Sequence, residues 1–140
     1  MIYFLDTNIF VRFLVPDEKS MRQHEECKAL LALVKGRKLN VVSSSLVFAE
    51  LVWVLQKFYS VPKIEVIQYL KSFLSGEIGI DDRGNVASAL NLYSTHQVKY
   101  IDCVIASNPN IQQRSVAILS YDQDFDVLGV KRIEPIKLIM

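Results

Sequence analysis

The segment MIYFLDTN, residues 1–8, places a short apolar run directly before an acidic residue, and the rest of the chain repeats this arrangement. A short apolar run bounded by polar residues is typical of a buried strand, so we predict a strand at Ile2–Leu5. Asp6 follows at once, where its side chain is expected to cap a helix over Asn8–Leu14. The segment therefore predicts a strand, a carboxylate at its end, and a helix.

Further apolar runs alternate along the chain with stretches of helical periodicity. We predict helices over 19–34, 46–58, 62–74, 84–96 and 101–113, and strands at Leu39–Val42, Glu77–Ile80, Val116–Leu119 and Lys131–Ile133. Pro109 lies inside the last helix and is expected to kink it or end it early. Strands separated by helices favour an α/β fold with three layers and a mainly parallel sheet of about five strands.

Size and composition indicate one compact domain over residues 1–140. Half of the residues are apolar, and 16 basic against 15 acidic side chains leave a net charge of +1, so the overall charge does not require an anionic partner.

Cys27 and Cys103 are far apart and are expected to be buried thiols of a reducing compartment. No apolar stretch approaches the length of a membrane span, and we expect a cytoplasmic protein that does not bind membranes.

One stretch of the chain is locally basic. Six cations lie between Lys19 and Lys38 and could follow a phosphate backbone if they share one face. The alternative interpretation is an ordinary solvated helix surface.

Several acidic residues occupy informative positions. Asp6 follows the first predicted strand, and Asp122 follows the fourth after only two residues. The C-terminal ends of parallel strands lie at one edge of a sheet, where ligands bind. We therefore expect these two carboxylates to meet there.

Two more carboxylates lie within apolar helical segments. Glu50 shares a helix face with Val47, Trp53 and Val54, so it should point inward, where an unpaired carboxylate is costly. A metal ion would offset that cost, and so would an ion pair with a lysine or arginine. Asp102 begins an apolar helix, where its charge could simply favour the helix dipole.

Each acid alone has a structural explanation, but their combined placement favours a metal site. Carboxylates that converge repel one another unless a cation is bound. Hard oxygen ligands suit Mg²⁺ or Mn²⁺, which also bind substrate phosphates. This combination is the chemistry of phosphodiester hydrolysis by a metal-activated water.

Four motifs in this order resemble the signature of the PIN-domain family. They are Leu5-Asp6-Thr7-Asn8, Val47-Phe48-Ala49-Glu50-Leu51, Ile101-Asp102-Cys103-Val104-Ile105-Ala106 and Leu119-Ser120-Tyr121-Asp122-Gln123-Asp124-Phe125. Gly129-Val130 and Glu134-Pro135 look like the tail of the VapC-like members, which are the toxins of VapBC toxin–antitoxin pairs. The resemblance covers essentially the whole chain. It implies a PIN-like α/β/α nuclease fold.

The resemblance also implies roles for these residues. Asp6 and Asp102 would be the main ligands of Mg²⁺ or Mn²⁺, and Glu50 would be a ligand or hold the attacking water. Asp122 would complete the acidic pocket, and Asp124 matches a variable family position. The implied function is a metal-dependent endoribonuclease that acts on RNA and is inhibited by an antitoxin protein. An antitoxin of this kind would present a basic side chain to the pocket.

Three other functions are consistent with parts of this pattern. A receiver-like signalling domain also carries acids at strand ends, and Asp81 would be its phosphoacceptor. A PIN fold without catalysis would be a binding module, and a PIN-type nuclease could process RNA without being a toxin.

Apolar residues in helices over 18–34 and 46–74 exceed what one small core needs, which predicts a homodimer and a groove for the antitoxin.

Overall fold

The structure, a computed structural model, describes all residues from Met1 to Met140. It contains five strands: β1 (Ile2–Leu5), β2 (Asn40–Ser43), β3 (Ile78–Ile80), β4 (Val116–Leu119) and β5 (Arg132–Ile133). The eight helices are α1 (Thr7–Leu14), α2 (Met21–Lys35), α3 (Ser45–Lys57), α4 (Lys63–Ser75), α5 (Val86–Thr95), α6 (Tyr100–Ala106), α7 (Pro109–Gln112) and α8 (Ile136–Ile139). Two 3₁₀ segments, Glu18–Ser20 and Gln123–Leu128, precede α2 and β5.

All strand pairs are parallel, and the sheet order is β3-β2-β1-β4-β5. In register, Ile2 lies opposite Asn40 of β2 and Val116 of β4. The chain builds the sheet outward from β1 through β2 to β3, and then returns to add β4 on the other side of β1. The order of strands therefore reverses between β1 and β4, which is where open parallel sheets bind ligands.

Helices cover both faces of this sheet, which confirms the predicted α/β/α fold. Right-handed crossovers place α1 to α4 on one face and α5 to α7 on the other. The inner strands are buried on both sides, and every residue of β4 is buried. Phe10 of α1 packs against Phe73 of α4 with ring centroids 4.8 Å apart, which holds the helices of one face together.

Local sequence signals account for several helix ends. The Ser44 side chain accepts a hydrogen bond from the Val47 amide and caps α3. Pro109 separates α6 from α7, so the helix predicted over 101–113 is interrupted as its proline indicated. The short helix α8 near the C-terminus was not predicted.

The expected helix cap at Asp6 is wrong. Asp6 stands at the N-cap position, but its carboxylate makes no capping hydrogen bond to α1 and instead accepts hydrogen bonds from the side chains of Asn8 and Ser120. A tertiary partner has replaced the local one that the sequence offered.

Cys27 and Cys103 are both free and buried, as predicted. None of the helices combines the length and apolar character needed to cross a bilayer.

Candidate metal centre

Four predicted site residues line one pocket at the point where the strand order reverses. Asp6 follows β1, and its amide still donates to the Leu119 carbonyl of β4 over 3.1 Å. Glu50 enters from α3, Asp102 from the first turn of α6, and Asp122 from the turn after β4. The pocket has a volume of about 230 Å³. Its other lining residues are Thr7, Asn8, Val11, Arg12, Val54 and Lys99.

Asp6 is buried and held by two side chains that end on the same oxygen. Ser120 donates to Asp6 Oδ2 over 2.7 Å, and the Asn8 amide donates to it over 3.3 Å. Asn8 also donates to Ser120 over 2.9 Å, so three residues form one small network. Burial raises the pKa of Asp6 to about 6, although the Ser120 hydrogen bond opposes the rise. The network fixes the orientation of a carboxylate that is costly to ionise.

Asp102 is the least exposed acid of the pocket. It is only 2% exposed, and its Oδ2 atom is buried without a hydrogen-bond partner. Burial raises its pKa to about 8, and the charges of Asp6 and Asp122 add to the rise, while Lys99 opposes it. A buried carboxylate oxygen without a partner is rare in a folded protein and requires an explanation.

Asp122 and Asp124 extend the acidic cluster toward solvent. Asp122 Oδ1 accepts a hydrogen bond from the Asp124 amide over 2.9 Å, which caps the 3₁₀ segment. Carboxylate oxygens of Asp102, Asp122 and Asp124 all lie within 4.8 Å of one another. Asp124 therefore joins the cluster from an exposed position, whereas Asp6 and Glu50 line the pocket without being part of this compact group.

Glu50 is half-buried in the pocket wall, without a hydrogen bond or an ion pair. The alternative of a structural ion pair at Glu50 is therefore not what the structure contains. The apolar stripe that suggested an inward orientation is only partly buried, because Trp53 on the same stripe is 55% exposed. Glu50 faces a pocket that opens to solvent and does not enter the core.

Lys99 is a site residue that the sequence analysis missed. It immediately precedes α6, and its ammonium lies 3.3 Å from Asp122 Oδ2 and 4.0 Å from Asp102 Oδ2. Burial alone would lower the pKa of Lys99, but the charges of Asp102 and Asp122 outweigh it and raise the pKa. The three-residue spacing from Lys99 to Asp102 at a helix start was the available signal.

A third buried acid, Glu26 of α2, contacts the turn that carries Asp122. It is 5% exposed, accepts a hydrogen bond from the Tyr121 hydroxyl over 2.8 Å, and pairs with Arg22 at 2.6 Å. Tyr121 directly precedes Asp122, so this contact anchors the turn that carries Asp122. The role of Glu26 is not visible in the sequence, because its partner lies 95 positions away.

The donor set of the pocket fits a hard divalent cation. All candidate ligands are carboxylates, and the buried Oδ2 of Asp102 has no protein donor to satisfy it. Mg²⁺ and Mn²⁺ prefer such oxygen ligands and keep part of their water shell. Thr7 Oγ1 is likewise buried without a partner in the same wall.

Asp81 lies outside this site. Its carboxylate accepts hydrogen bonds from Arg83 Nε at 2.9 Å and Arg83 Nη2 at 2.7 Å, which lower the pKa of Asp81 to about 2. Strand β3 is an edge strand here, whereas the receiver-type order 2-1-3-4-5 places the third strand in the middle of the sheet. The receiver-like interpretation is therefore wrong.

The cations of the basic stretch are exposed, but several are already paired with acids. Arg22 contacts Glu26, Lys28 contacts Glu25 at 3.9 Å, and Arg37 contacts Glu77 at 3.1 Å. The start of α2 lies beside the pocket, because Arg12 of the pocket wall donates to Ser20 over 3.1 Å.

The apolar surplus is distributed differently from the expectation. In α2 only Met21 is an exposed large apolar residue, so that part of the prediction is wrong. Helices α3 and α4 and their connection carry six exposed large apolar residues, here called the α3–α4 patch: Trp53, Phe58, Tyr59, Ile64, Ile67 and Leu74. A second one, the α5–α6 patch, was not predicted: Val86, Leu90, Tyr93 and Tyr100.

Comparison with known proteins identifies the family to which the chain belongs. The family model of the PIN domain matches residues 3–131, and the chain belongs to the PIN-domain family. No curated protein matches the chain in sequence.

Two solved structures share the fold at low sequence identity. The Mycobacterium tuberculosis protein VapC20, described as a sarcin-ricin loop cleaving toxin, superposes with a TM-score of 0.69 at 15% identity, over 96% of this chain and 100% of that chain. PAE2754 from Pyrobaculum aerophilum superposes with a TM-score of 0.67 at 11% identity, over 99% of this chain and 93% of that chain.

Proposed function

We propose that this protein is a Mg²⁺- or Mn²⁺-dependent endoribonuclease and the toxin of a toxin–antitoxin pair in the cytoplasm. The observation that carries the proposal is the buried, unpartnered Oδ2 of Asp102 within a cluster of carboxylates from separate elements. Membership of the PIN-domain family and the shared fold with a toxin that cleaves the sarcin-ricin loop support the same function.

In this proposal the carboxylates divide into inner and outer ligands. Asp102 and Asp122 belong to both the pocket and the compact cluster, so they would contact the ion directly. Asp6 would contribute from the buried side and Asp124 from the exposed side. Bound Mg²⁺ or Mn²⁺ would supply a water of lowered pKa and would offset the growing charge of the phosphate.

The protein's own residues would orient the reactants. Ser120 and Asn8 hold Asp6 in one rotamer, so that carboxylate does not need to reorganise during the reaction. Glu50 has no competing partner, so its carboxylate is available to accept a proton from the attacking water. Arg12 lies in the same wall, and its guanidinium is bonded to a neutral serine, so it keeps its charge available for an RNA phosphate.

The antitoxin would cover the α3–α4 patch. This patch adjoins the pocket, because Val54 lines the pocket and neighbours Trp53 on α3. An apolar helix or extended segment docked there would bring a basic side chain within reach of the carboxylates. Such a side chain would pair with the acids and compete with the metal.

The homodimer would use the α5–α6 patch. Tyr93 and Tyr100 pack edge to face with centroids 5.4 Å apart and remain partly exposed, which is typical of aromatic residues at interfaces. A substitution of Leu90 by aspartate should then produce monomers in analytical ultracentrifugation. Unchanged dimers in that variant would contradict this assignment, and a monomeric wild-type protein at high concentration would contradict the dimer itself.

The proposed activity is tested with purified protein and RNA in Mg²⁺, Mn²⁺ or EDTA. We expect cleavage that stops in EDTA, and Asp6→Asn and Asp102→Asn variants that lose most turnover. Asp81→Asn is the matched control, because Asp81 also follows a strand but pairs with Arg83 outside the pocket. Cleavage that persists in EDTA, or near-wild-type rates in either pocket variant, would contradict the mechanism. If no neighbouring gene encodes an antitoxin, an RNA-processing nuclease is favoured instead.

A further inference from the structure

We propose that Lys99 is a displaceable counterion of the acidic pocket, which leaves the carboxylates when the metal binds and then contacts an RNA phosphate. This inference rests on the proposed nuclease function and deepens it. It assigns a role to a residue for which the motifs of the sequence gave none.

Lys99 and a metal ion would bind the same carboxylate atoms. The ammonium of Lys99 lies 3.3 Å from Asp122 Oδ2 and 4.0 Å from Asp102 Oδ2. That atom of Asp102 is also the buried oxygen without a hydrogen-bond partner. The Lys99 contact is longer than a hydrogen bond, so it reduces the charge repulsion without satisfying the oxygen. A divalent ion would satisfy it better and would repel the ammonium.

The side chain of Lys99 is free to move. Its side chain is 60% exposed, and its ammonium is held only by the two acids. Its backbone is fixed, because the Lys99 carbonyl accepts hydrogen bonds from the Asp102 and Cys103 amides at the start of α6. A lysine with a fixed backbone and four rotatable bonds can withdraw its charge by several ångströms without disturbing the helix.

Outside the carboxylates, the released ammonium would reach a second cavity. Lys99 forms part of two cavities, the acidic pocket on one side and an open shelf of polar and aromatic residues on the other. The shelf is lined by Tyr93, His96, Gln97, Val98 and Asp124 in addition to Lys99. In this proposal, RNA that places a phosphate at the metal also crosses the border between the two cavities at Lys99. The released ammonium would then pair with a phosphate next to the reacting one.

Metal affinity measured without RNA tests the displacement directly. We expect Lys99→Met to bind Mn²⁺ about threefold to tenfold more tightly than the wild type in isothermal titration calorimetry, because the competing charge is removed from partly screened carboxylates. Lys99→Gln should change in the same direction, and Lys99→Arg, which keeps the charge, should stay near the wild type. Lys63→Met is the control, since Lys63 is exposed at the start of α4 and forms no ion pair.

The second readout uses RNA at saturating Mn²⁺. Lys99→Met should raise the KM for RNA about threefold or more and leave kcat less affected, since a phosphate contact is lost while the metal stays in place. Mn²⁺ affinity of Lys99→Met equal to or weaker than that of the wild type would overturn the displacement. An unchanged KM would overturn the phosphate contact. If the wild type does not cleave RNA at all, the proposed function fails, while the Mn²⁺ affinities still decide the displacement.

Discussion

Replacing Asp102 with asparagine should stabilise the protein in EDTA while it abolishes RNA cleavage. Asp102 is 2% exposed, has one unpartnered oxygen and lies near Asp6 and Asp122, so its ionised form is disfavoured in the folded state. Asparagine has nearly the same shape and carries no charge. In the wild type, the Asp102 carboxyl ionises more readily in the unfolded state than in the folded state, which lowers the free energy of unfolding. The variant should regain this free energy, because asparagine does not ionise.

The size of this effect follows from the pKa of Asp102, which burial raises from 3.8 to about 8. At pH 7 only the part of this pKa shift that lies between 3.8 and 7 affects stability. It corresponds to an upper limit of about 4 kcal/mol in the free energy of unfolding. The asparagine amide stays buried with few partners, so we expect a gain of about 1–3 kcal/mol in the free energy of unfolding. Because the folded pKa lies above the unfolded one, this stability is present below about pH 4 and is lost as pH rises to about 8.

Urea denaturation followed by far-UV circular dichroism measures this difference. Trp53 is the sole tryptophan and is 55% exposed, so its fluorescence would report unfolding poorly. In EDTA the wild-type midpoint should fall between pH 5 and pH 8, and the Asp102→Asn midpoint should fall less. Mg²⁺ should raise the wild-type midpoint and leave the variant nearly unchanged. A variant less stable than the wild type in EDTA at pH 8, or a wild type without this pH dependence, would refute the reasoning.

Three further variants test the surroundings of the site. Ser120→Ala removes the strongest donor to Asp6, so it should raise the Mn²⁺ concentration needed for half-maximal cleavage and cost about 1–2 kcal/mol in urea denaturation. Tyr121→Phe should cost about 1–3 kcal/mol by leaving buried Glu26 short of a donor, with kcat reduced only severalfold; a stability equal to the wild type would show that the contact is unimportant. Trp53→Asp should retain RNA cleavage but weaken antitoxin binding at least tenfold in calorimetry, and full inhibition by the antitoxin would argue against the α3–α4 patch.

Sequence patterns predicted the fold well, because β1, β2 and β4 contain short apolar runs; β5 is the exception, since it is only Arg132–Ile133. Strands β1 and β4 match their predicted bounds, and the other three differ only at one or both ends by a single residue. The strand ends also located Asp6 and Asp122 correctly, since the C-terminal ends of parallel strands must lie at one edge.

What could not be predicted depends on side chains that are distant in sequence. Asp6 looked like a helix cap, but Ser120, 114 positions away, takes its carboxylate. Glu26 meets Tyr121 only after α2 has packed beside the site. Lys99 looked like any exposed lysine, because sequence does not reveal that Asp122 lies on the other side of its ammonium.

The placement of Mn²⁺ by anomalous diffraction tests the central claim most directly. Crystals soaked in Mn²⁺ should show an anomalous peak within about 2–2.5 Å of carboxylate oxygens of Asp102 and Asp122, with the Lys99 ammonium moved away from them. A saturating soak that gives a peak elsewhere, or no peak at these carboxylates, would contradict the assignment of this pocket as the metal centre.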